Sequence, residues 1–373
     1  MQLDRRMILF LIIALAVFFL GHIYLAWRIN WGFSIVKPYT YIIYGFFLLM
    51  ALTMLATQFG MRNGFLPIVN KIAPIGFFLM GFFALAICVF ILNDILNLIN
   101  FLIFKIKMFK FYSTVVAVSL TVLASIIACI NFSYFLDLKE VRIKVSNLNV
   151  PQYRIALIAD IHINKYTKPE KINKIFDRVL ELNPDMIIIA GDIIDTDINA
   201  NDKYLEYGFT KLTAPDGVFV ISGNHEYYTG IKVFYDMFAK LPNIKVLNDE
   251  NVLVDNKINI AGINDINYHN PELIWKVLDT ADPKYPTVFV SHRPDSFDFS
   301  AALDREIVQL SGHTHAGQIP PVWIVIKFFM KYWYGVYTQA QSTMYITSGA
   351  VGWGPPMRLF NCSEIALIIL EPK

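Results

Sequence analysis

Two histidines, His313 and His315, stand two positions apart in the stretch SGHTHAGQI, in a chain that contains only seven histidines. Glycines at Gly312 and Gly317 favour a tight loop in which backbone and side chains close around something small. Imidazole is a common metal ligand, so the stretch is consistent with a metal site. A polar surface turn is the alternative, because a short His-x-His motif alone has a high false-positive risk. The rest of the chain has to decide between the two.

Residues of types that commonly bind metal ions follow five β-rich runs, namely YRIALIA, DMIIIA, VFVIS, TVFVS and EIVQLS. In chain order these residues are Asp160, His162, Asp192, Asp195, Asn224, His225, Glu226, His292, His313 and His315. In open α/β sheets, ligands bind at the carboxyl ends of the strands. Turn chemistry explains any one of these blocks, but it does not explain five blocks in the same relation to a strand. The pattern therefore predicts a metal site at one edge of a sheet.

The elements that must position these residues belong to an α/β domain. The strand-like runs alternate with helical patterns such as PEKINKIFDRVLELN, in which apolar residues recur at helical spacing. This alternation predicts a sheet whose faces are covered by helices. Isolated cysteines exclude a disulfide framework or a cysteine-based zinc site.

The N-terminal part of the chain has a different character. Overall 55% of the residues are hydrophobic and 17% are charged, and the apolar excess is concentrated before residue 137. Four runs near the length of about 20 residues that a membrane-spanning helix needs are predicted at 7–27, 40–58, 73–93 and 112–132. The segment 93–110 either extends the third span or lies in the interface. We therefore predict a four-helix membrane domain over 1–137 and a second domain over 138–373.

The motifs D-x-H, G-D-x-x-D, G-N-H-E, a lone histidine after a strand and G-H-T-H together resemble the calcineurin-like metallophosphoesterases. The resemblance extends over residues 150–373, and the flanking text is similar to the membrane-associated bacterial branch of that superfamily. It implies a sandwich of two sheets flanked by helices, with two divalent metals at the strand ends. One departure is Ala316, which stands where that branch usually has glycine; its methyl group could narrow the loop but removes no ligand.

The resemblance also implies a ligand set for two metals. The first metal would take Asp160, His162, Asp192 and His315, and the second would take Asp192, Asn224, His292 and His313. Such ligands suit manganese, iron or zinc. Two metals bridged by Asp192 can lower the pKa of a shared water and hold phosphoryl oxygens, so in-line attack on phosphorus becomes feasible near neutral pH.

Further roles follow from the same resemblance. His225 is predicted to protonate or stabilise the leaving oxygen, with Asp195 orienting its ring. Glu226 is left between a structural salt bridge and a catalytic role. Tyr227 and Tyr228 are candidates for the pocket wall, with a place in the core as their alternative.

The predicted function is that of a membrane-bound phosphoesterase acting on a phosphodiester or pyrophosphate, with a lipid headgroup as the leading substrate class. The lipid preference rests on residues 320–337, PPVWIVIKFFMKYWYGVY, whose Trp, Tyr and Lys content is typical of a membrane-interface element. A helix packed on the domain's own core is the alternative for this segment. The rival functions are a membrane-anchored hydrolase of soluble nucleotides or phosphomonoesters, and a non-catalytic membrane scaffold.

Charge adds two expectations. A net charge of +2, without a basic run, does not favour nucleic acid. With four spans, the N-terminus, the second loop and the segment after the last span lie on one side of the membrane, together with the second domain. Seven Lys and Arg lie on that side, and five lie in the loops on the opposite side. The bias of these residues toward the cytoplasm favours a multi-pass cell-membrane protein whose second domain is cytoplasmic. The seven are Arg5, Arg6, Arg62, Lys71, Lys139, Arg142 and Lys144, and the five are Arg28, Lys37, Lys105, Lys107 and Lys110.

Overall fold

The structure, a computed structural model, describes residues 5–63, 67–195 and 207–373. It divides into two compact units. The first comprises residues up to Ser133 together with Ile319–Pro321 and Gly354–Leu359, and the second comprises Tyr134–Gln318, Val322–Trp353 and Phe360–Lys373. The predicted boundary between a membrane domain over 1–137 and a second domain over 138–373 stays a prediction.

The first unit contains four long helices, α1 (Arg5–Phe33), α2 (Tyr39–Asn63), α3 (Pro67–Ile99) and α4 (Phe109–Tyr134). Each is long and apolar enough to cross a membrane, and each contains one of the predicted spans. A π-helical turn, Asn100–Phe104, continues α3, so this part of the segment after the third span extends that span. The side chains of Arg5, Arg6 and Arg62, which enter the charge comparison, lie outside the described residues.

Packing within this unit separates an interior from an outer surface. Leu25 of α1, Met50 of α2, Phe90 of α3 and Ala117 of α4 belong to one buried cluster. The outer faces carry exposed aliphatic side chains such as Leu49, which is 64% exposed. Helices that are apolar on their outer faces suit a lipid environment, because lipid solvates those faces as well as a protein core would.

The second unit is a sandwich of two six-stranded sheets, as predicted. The first sheet has the order β1-β12-β2-β3-β4-β5 and the second has the order β10-β11-β9-β8-β7-β6. The first-sheet strands are β1 (Leu136–Val145), β2 (Tyr153–Ile158), β3 (Met186–Ala190), β4 (Val218–Ile221), β5 (Lys245–Val246) and β12 (Ser363–Pro372). The second-sheet strands are β6 (Glu250–Val254), β7 (Ile258–Gly262), β8 (Thr287–Val290), β9 (Ile307–Ser311), β10 (Gly335–Gln339) and β11 (Ser342–Ile346).

Strand direction decides where chemistry can gather. In the first sheet β2, β3, β4 and β5 are parallel, and in the second β7, β8, β9 and β11 are parallel. The core between the sheets takes side chains from both, including Ile155, Ile188, Ile260 and Leu310. Burying one such side chain contributes roughly 1.5–3 kcal/mol, so the two sheets hold each other in a fixed relation.

The remaining helices are α5 (Pro169–Glu181), α6 (Asn224–Thr229), α7 (Ile231–Phe238), α8 (Pro271–Asp279), α9 (Phe297–Ser300) and α10 (Val322–Phe329). The amphipathic α5 confirms the helix predicted from PEKINKIFDRVLELN, and it buries Ile172, Ile175, Phe176 and Val179. The five predicted strands are confirmed as β2, β3, β4, β8 and β9, each with ends within one residue of the predicted run.

Residues 320–337 form α10, a turn and the start of β10. No residue of α10 is buried, and Phe328 and Phe329 are 80% and 85% exposed. The alternative of a helix packed into the core is therefore wrong for α10. Farther along, Tyr332 does belong to a buried cluster with Phe297, so part of the segment packs into the domain while α10 presents an apolar surface.

Candidate metal centre

The predicted ligands follow the carboxyl ends of five parallel strands. Asp160 and His162 follow β2, Asp192 follows β3, Asn224 follows β4, His292 follows β8, and His313 and His315 follow β9. Two of these loops remain paired beyond their strands. His162 N donates to the Asp192 carbonyl at 3.0 Å, and Asp195 N donates to the Ile163 carbonyl at 2.8 Å. This pairing fixes the first two motifs relative to each other.

Many of the candidate ligands have an unfavourable backbone conformation. Positive φ angles occur at Asp160 (56°), His162 (49°), Asp192 (52°), His313 (75°) and His315 (52°). A non-glycine residue in the left-handed region costs roughly 1–2 kcal/mol, so this conformation persists only where surrounding contacts impose it. Ala316, with φ 49°, shares the left-handed conformation, which explains why glycine suits this position in the resembling branch.

Glu226 provides much of that constraint. Its buried carboxylate accepts hydrogen bonds from four backbone amides, those of Asp192 (3.0 Å), Ile193 (2.7 Å), Ile194 (2.9 Å) and Gly223 (2.6 Å). Gly223 is required here, because a Cβ on it would lie 2.2 Å from Asp192 Oδ1. Glu226 thus ties the loop after β3 to the loop after β4. Of the two alternatives left open by the sequence, neither a salt bridge nor a catalytic contact is what its carboxylate forms here: its partners are backbone amides, which favour a structural role.

The first group of side chains contains Asp160, His162 and His315. His162 Nε2 lies 3.3 Å from His315 Nε2, and both nitrogens lie near Asp160 Oδ1, at 3.8 and 3.6 Å respectively. Asp160 and His162 are fully buried, and Asp160 also accepts hydrogen bonds from the His313 amide. Ligand atoms this close together could hold one metal ion.

The second group contains Asp192, His292 and His313. His292 Nδ1 donates to the Ala190 carbonyl at 2.8 Å, which leaves Nε2 pointing toward Asp192 Oδ2 at 3.1 Å. The same carboxylate oxygen is 3.7 Å from His162 Nε2 of the first group. Asp192 therefore lies between the two groups, where a bridging carboxylate would have to be.

His225 stands beside these groups and is oriented by Asp195. His225 Nδ1 lies 2.6 Å from Asp195 Oδ1, and because a carboxylate only accepts, the ring donates from Nδ1 and presents Nε2 to the site. Asp195 also accepts from His162 Nδ1 at 2.7 Å. The Asp195 carboxylate thus orients two imidazoles, those of His225 and His162. The resemblance implied this role only for His225.

The donor set fits divalent cations. Asn224 Oδ1 is buried and accepts no hydrogen bond from the residues that the structure describes, which is costly unless a cation takes its lone pairs. Burial opposes ionisation of the Asp195 carboxyl, but the neighbouring His162 and His225 lower its pKa to about 2. Against the opposing effect of burial, Asp192 raises the pKa of His292 to about 10. The buried carboxylates therefore require positive charge between them, which two metal ions would supply.

Electrostatics also distinguishes neighbouring imidazoles. Burial and the adjacent His292 lower the pKa of His313 to about 3, so this ring is neutral at ordinary pH. A neutral imidazole retains the lone pair that a metal ligand needs.

Aromatic residues form the wall around His225. Tyr228 and Trp353 lie edge-on to its ring, with ring centroids at 5.3 and 5.7 Å. Tyr228 was a sequence candidate for this wall, whereas Trp353 was not singled out. A tryptophan between glycines in GAVGWGPP was the available signal, but nothing in its spacing relates it to a strand end.

Comparison with known proteins agrees with this geometry. Residues 153–317 match the family described as calcineurin-like phosphoesterase. An uncharacterised metallophosphoesterase from Campylobacter jejuni is 33% identical over 246 residues, which cover 64% of each chain. A transmembrane protein with metallophosphoesterase domain from Bos taurus is 29% identical over 277 residues, which cover 68% of this chain and 62% of that protein. The chain thus spans less than two thirds of the length of these relatives.

A solved dimetal phosphatase from Danio rerio aligns with 55% of this chain and 90% of its own, at 12% identity and a TM-score of 0.37.

Proposed function

We propose, from the membership of this chain in the calcineurin-like metallophosphoesterase superfamily, that the protein is a membrane-bound phosphoesterase with a two-metal centre. The single observation that carries the proposal is the convergence of two ligand groups on Asp192 at the carboxyl ends of four strands, β2, β3, β8 and β9. A scaffold that had lost catalysis would be expected to lack ligands, and each ligand position implied by the family is filled.

Each proposed ligand has a role consistent with its surroundings. Asp160, His162, Asp192 and His315 would hold one divalent ion, and Asp192, Asn224, His292 and His313 would hold the other. Manganese, iron and zinc all accept such oxygen and nitrogen ligands. When bound, the two ions supply Lewis acidity and lower the pKa of water, which is the chemistry that phosphoester hydrolysis needs.

His225 is proposed as the general acid. Its Nδ1–H donates to Asp195, so its Nε2 is available to hold a proton toward the leaving oxygen. Asp195 would stabilise the protonated ring and keep it in this orientation. Trp353 and Tyr228 flank the ring and would limit the access of water to it.

A lipid phosphodiester or pyrophosphate is the proposed substrate class. The supporting observation is α10, which begins five residues after Gly317 of the histidine loop and exposes Val325, Phe328 and Phe329. An apolar helix of this kind binds the interface of a bilayer through buried apolar area. The second candidate, hydrolysis of soluble nucleotides or phosphomonoesters, needs no such surface. We further propose that the catalytic domain faces the cytoplasm, on the loop charge bias alone.

Substitution of the proposed bridging ligand tests the metal centre. Asp192→Asn should lower hydrolysis of a chromogenic phosphodiester and of a phosphomonoester by several orders of magnitude in the presence of manganese, because an amide is a poor bridging ligand. Elemental analysis should show fewer than two metals per chain. The matched control is Asp236→Asn on α7, whose carboxylate is half exposed and pairs with Lys232. Normal turnover with two metals in Asp192→Asn would show that the assigned centre is wrong.

A second experiment addresses the substrate class. Phe328→Ser with Phe329→Ser should weaken hydrolysis of a lipid phosphodiester in vesicles by about tenfold or more, since burying one such side chain contributes roughly 1.5–3 kcal/mol. Hydrolysis of a small soluble substrate should be unchanged. Ile266→Ser, which removes an apolar side chain that is 68% exposed elsewhere on the domain, is the control. Equal losses on both substrates would contradict a role of α10 in reaching lipid.

A further inference from the structure

The first unit, which contains the four long helices α1–α4, has a cavity of about 810 Å³ at one end of these helices. The walls come from the end of α1, the end of α3 with its π-helical turn, and the beginning of α4. Its volume lies within the range of roughly 300–1,000 Å³ that ligand sites occupy. The residues used below are Trp31, Asn97, Phe101, Lys105, Ile106 and Lys110, all of which line it.

The cavity carries unneutralised positive charge. Lys105 and Lys110 both line it, and within the described parts of the chain neither pairs with a carboxylate. The ammonium group of Lys110 lies 5.4 Å from the centroid of the Trp31 ring, a weaker partner than an acid. Asp94, the acid nearest along α3, is engaged by Arg28 in an ion pair and by Tyr24 in a hydrogen bond of 2.8 Å. An anion is therefore the ligand that this charge favours.

The walls are held in place before any ligand binds. Asn97 donates to Ser113 Oγ at 3.0 Å and so joins α3 to α4. The side-chain oxygen of Asn100 accepts a hydrogen bond from the Ile106 amide at 3.0 Å, and the backbone carbonyl of Asn100 accepts one from the Lys105 amide at 2.6 Å. These bonds hold Lys105 in a left-handed conformation, with φ 51°, at the end of the π-helical turn. The backbone at Lys105, and with it the point from which its side chain extends, is therefore set by a capped turn.

Much of the remaining lining is apolar. Phe101, Leu102, Ile106 and Met108 line the cavity and are each more than half exposed. Lysines and a tryptophan next to such residues at the ends of membrane-spanning helices lie at the depth of lipid headgroups. We infer that this cavity binds one anionic phospholipid, with its phosphate at Lys105 and Lys110 and its acyl chains along Phe101 and Ile106. The inference is separate from the hydrolytic centre and does not rest on the proposed function.

The test is lipid binding by the purified full chain in neutral detergent, measured by native mass spectrometry and by thermal shift. Phosphatidylglycerol should remain bound and raise the melting temperature, whereas phosphatidylcholine with the same acyl chains should not. Lys105→Gln with Lys110→Gln should weaken phosphatidylglycerol binding by about 30-fold. Each lysine near an anionic lipid contributes roughly fivefold in affinity, and the two factors multiply. Lys139→Gln with Lys144→Gln, two exposed lysines of β1, is the matched control.

Three results would overturn the inference. The first is equal binding of the two lipids, which would indicate an unspecific lipid belt. The second is equal phosphatidylglycerol binding by the two double variants. The third is full stabilisation by inorganic phosphate alone, which would indicate a site for soluble anions. If the glutamine variant does not fold, Lys105→Arg with Lys110→Arg replaces it, and this variant must retain the preference for phosphatidylglycerol over phosphatidylcholine. No turnover is measured, so a failed hydrolase proposal would leave the result unaffected.

Discussion

Replacing Glu226 with glutamine should destabilise the second structural unit strongly, although the side chain keeps its size. In the structure Oε1 accepts from the amides of Ile193 and Ile194, and Oε2 accepts from those of Asp192 and Gly223. In glutamine one of these oxygens becomes an NH₂ group, which cannot accept. Whichever way the amide turns, two buried backbone N–H groups then face a donor.

The magnitude follows from those two lost acceptors. A buried donor without a partner costs about 1–3 kcal/mol, so the free energy of unfolding should fall by about 2–6 kcal/mol. For a domain of this size 1 kcal/mol corresponds to roughly 2–4 °C, which predicts a melting temperature lower by about 4–24 °C. The measurement is thermal unfolding of the purified full chain in detergent, followed by tryptophan fluorescence.

Glu181→Gln is the matched control for this substitution. Its carboxylate is 60% exposed and forms a surface ion pair with Arg178, so its removal should change the melting temperature by no more than about 2 °C. A second readout is manganese affinity, which should fall in Glu226→Gln because the backbone of Asp192 loses its support. An unchanged melting temperature with lost activity would refute the structural role and assign Glu226 to the chemistry.

The remaining predictions concern two residues of the same centre. His225→Ala should retain both metals and lose roughly 10²- to 10⁴-fold in rate, with a smaller loss for substrates that have very good leaving groups. If elemental analysis shows that metal is lost, His225 is a ligand instead, as its closeness to Asp192 and His162 allows. Ala316→Gly should leave the melting temperature unchanged or raise it by up to about 4 °C, because relief of a left-handed alanine, roughly 1–2 kcal/mol, outweighs the greater unfolded-state freedom of glycine. A decrease of several degrees would show that the methyl group contributes packing that exceeds this strain.

Local sequence patterns determined the broad architecture of the protein. Apolar runs of membrane-spanning length are recognisable because hydrophobicity is a property of the run itself, and the four helices contain the four predicted spans. Short β-rich runs between turn residues predicted β2, β3, β4, β8 and β9 for a similar reason. The other seven strands of the two sheets, β1, β5, β6, β7, β10, β11 and β12, were not predicted, because their positions depend on the strands with which they pair.

The candidate ligands were also identifiable from sequence, because each follows a strand directly. Their roles depended on contacts between distant segments. Asp195 accepts from His162 as well as His225, across 33 and 30 positions of the chain, and Trp353 reaches His225 from 128 positions away. The spacing of residues within a motif contains no information on such contacts.

Glu226 shows the physical reason most clearly. Its sequence context, G-N-H-E, suggests a charged residue beside a metal site, and either a salt bridge or catalysis would satisfy that description. Only the folded chain brings the amides of residues 192–194 around its carboxylate, because those amides are released from the sheet where β3 ends and the backbone enters the left-handed region at Asp192. The sequence by itself determined which chemical groups are present at the sheet edge. The tertiary structure decided which of them converge on the candidate metal centre and which hold the backbone, since that choice depends on loops folded against each other.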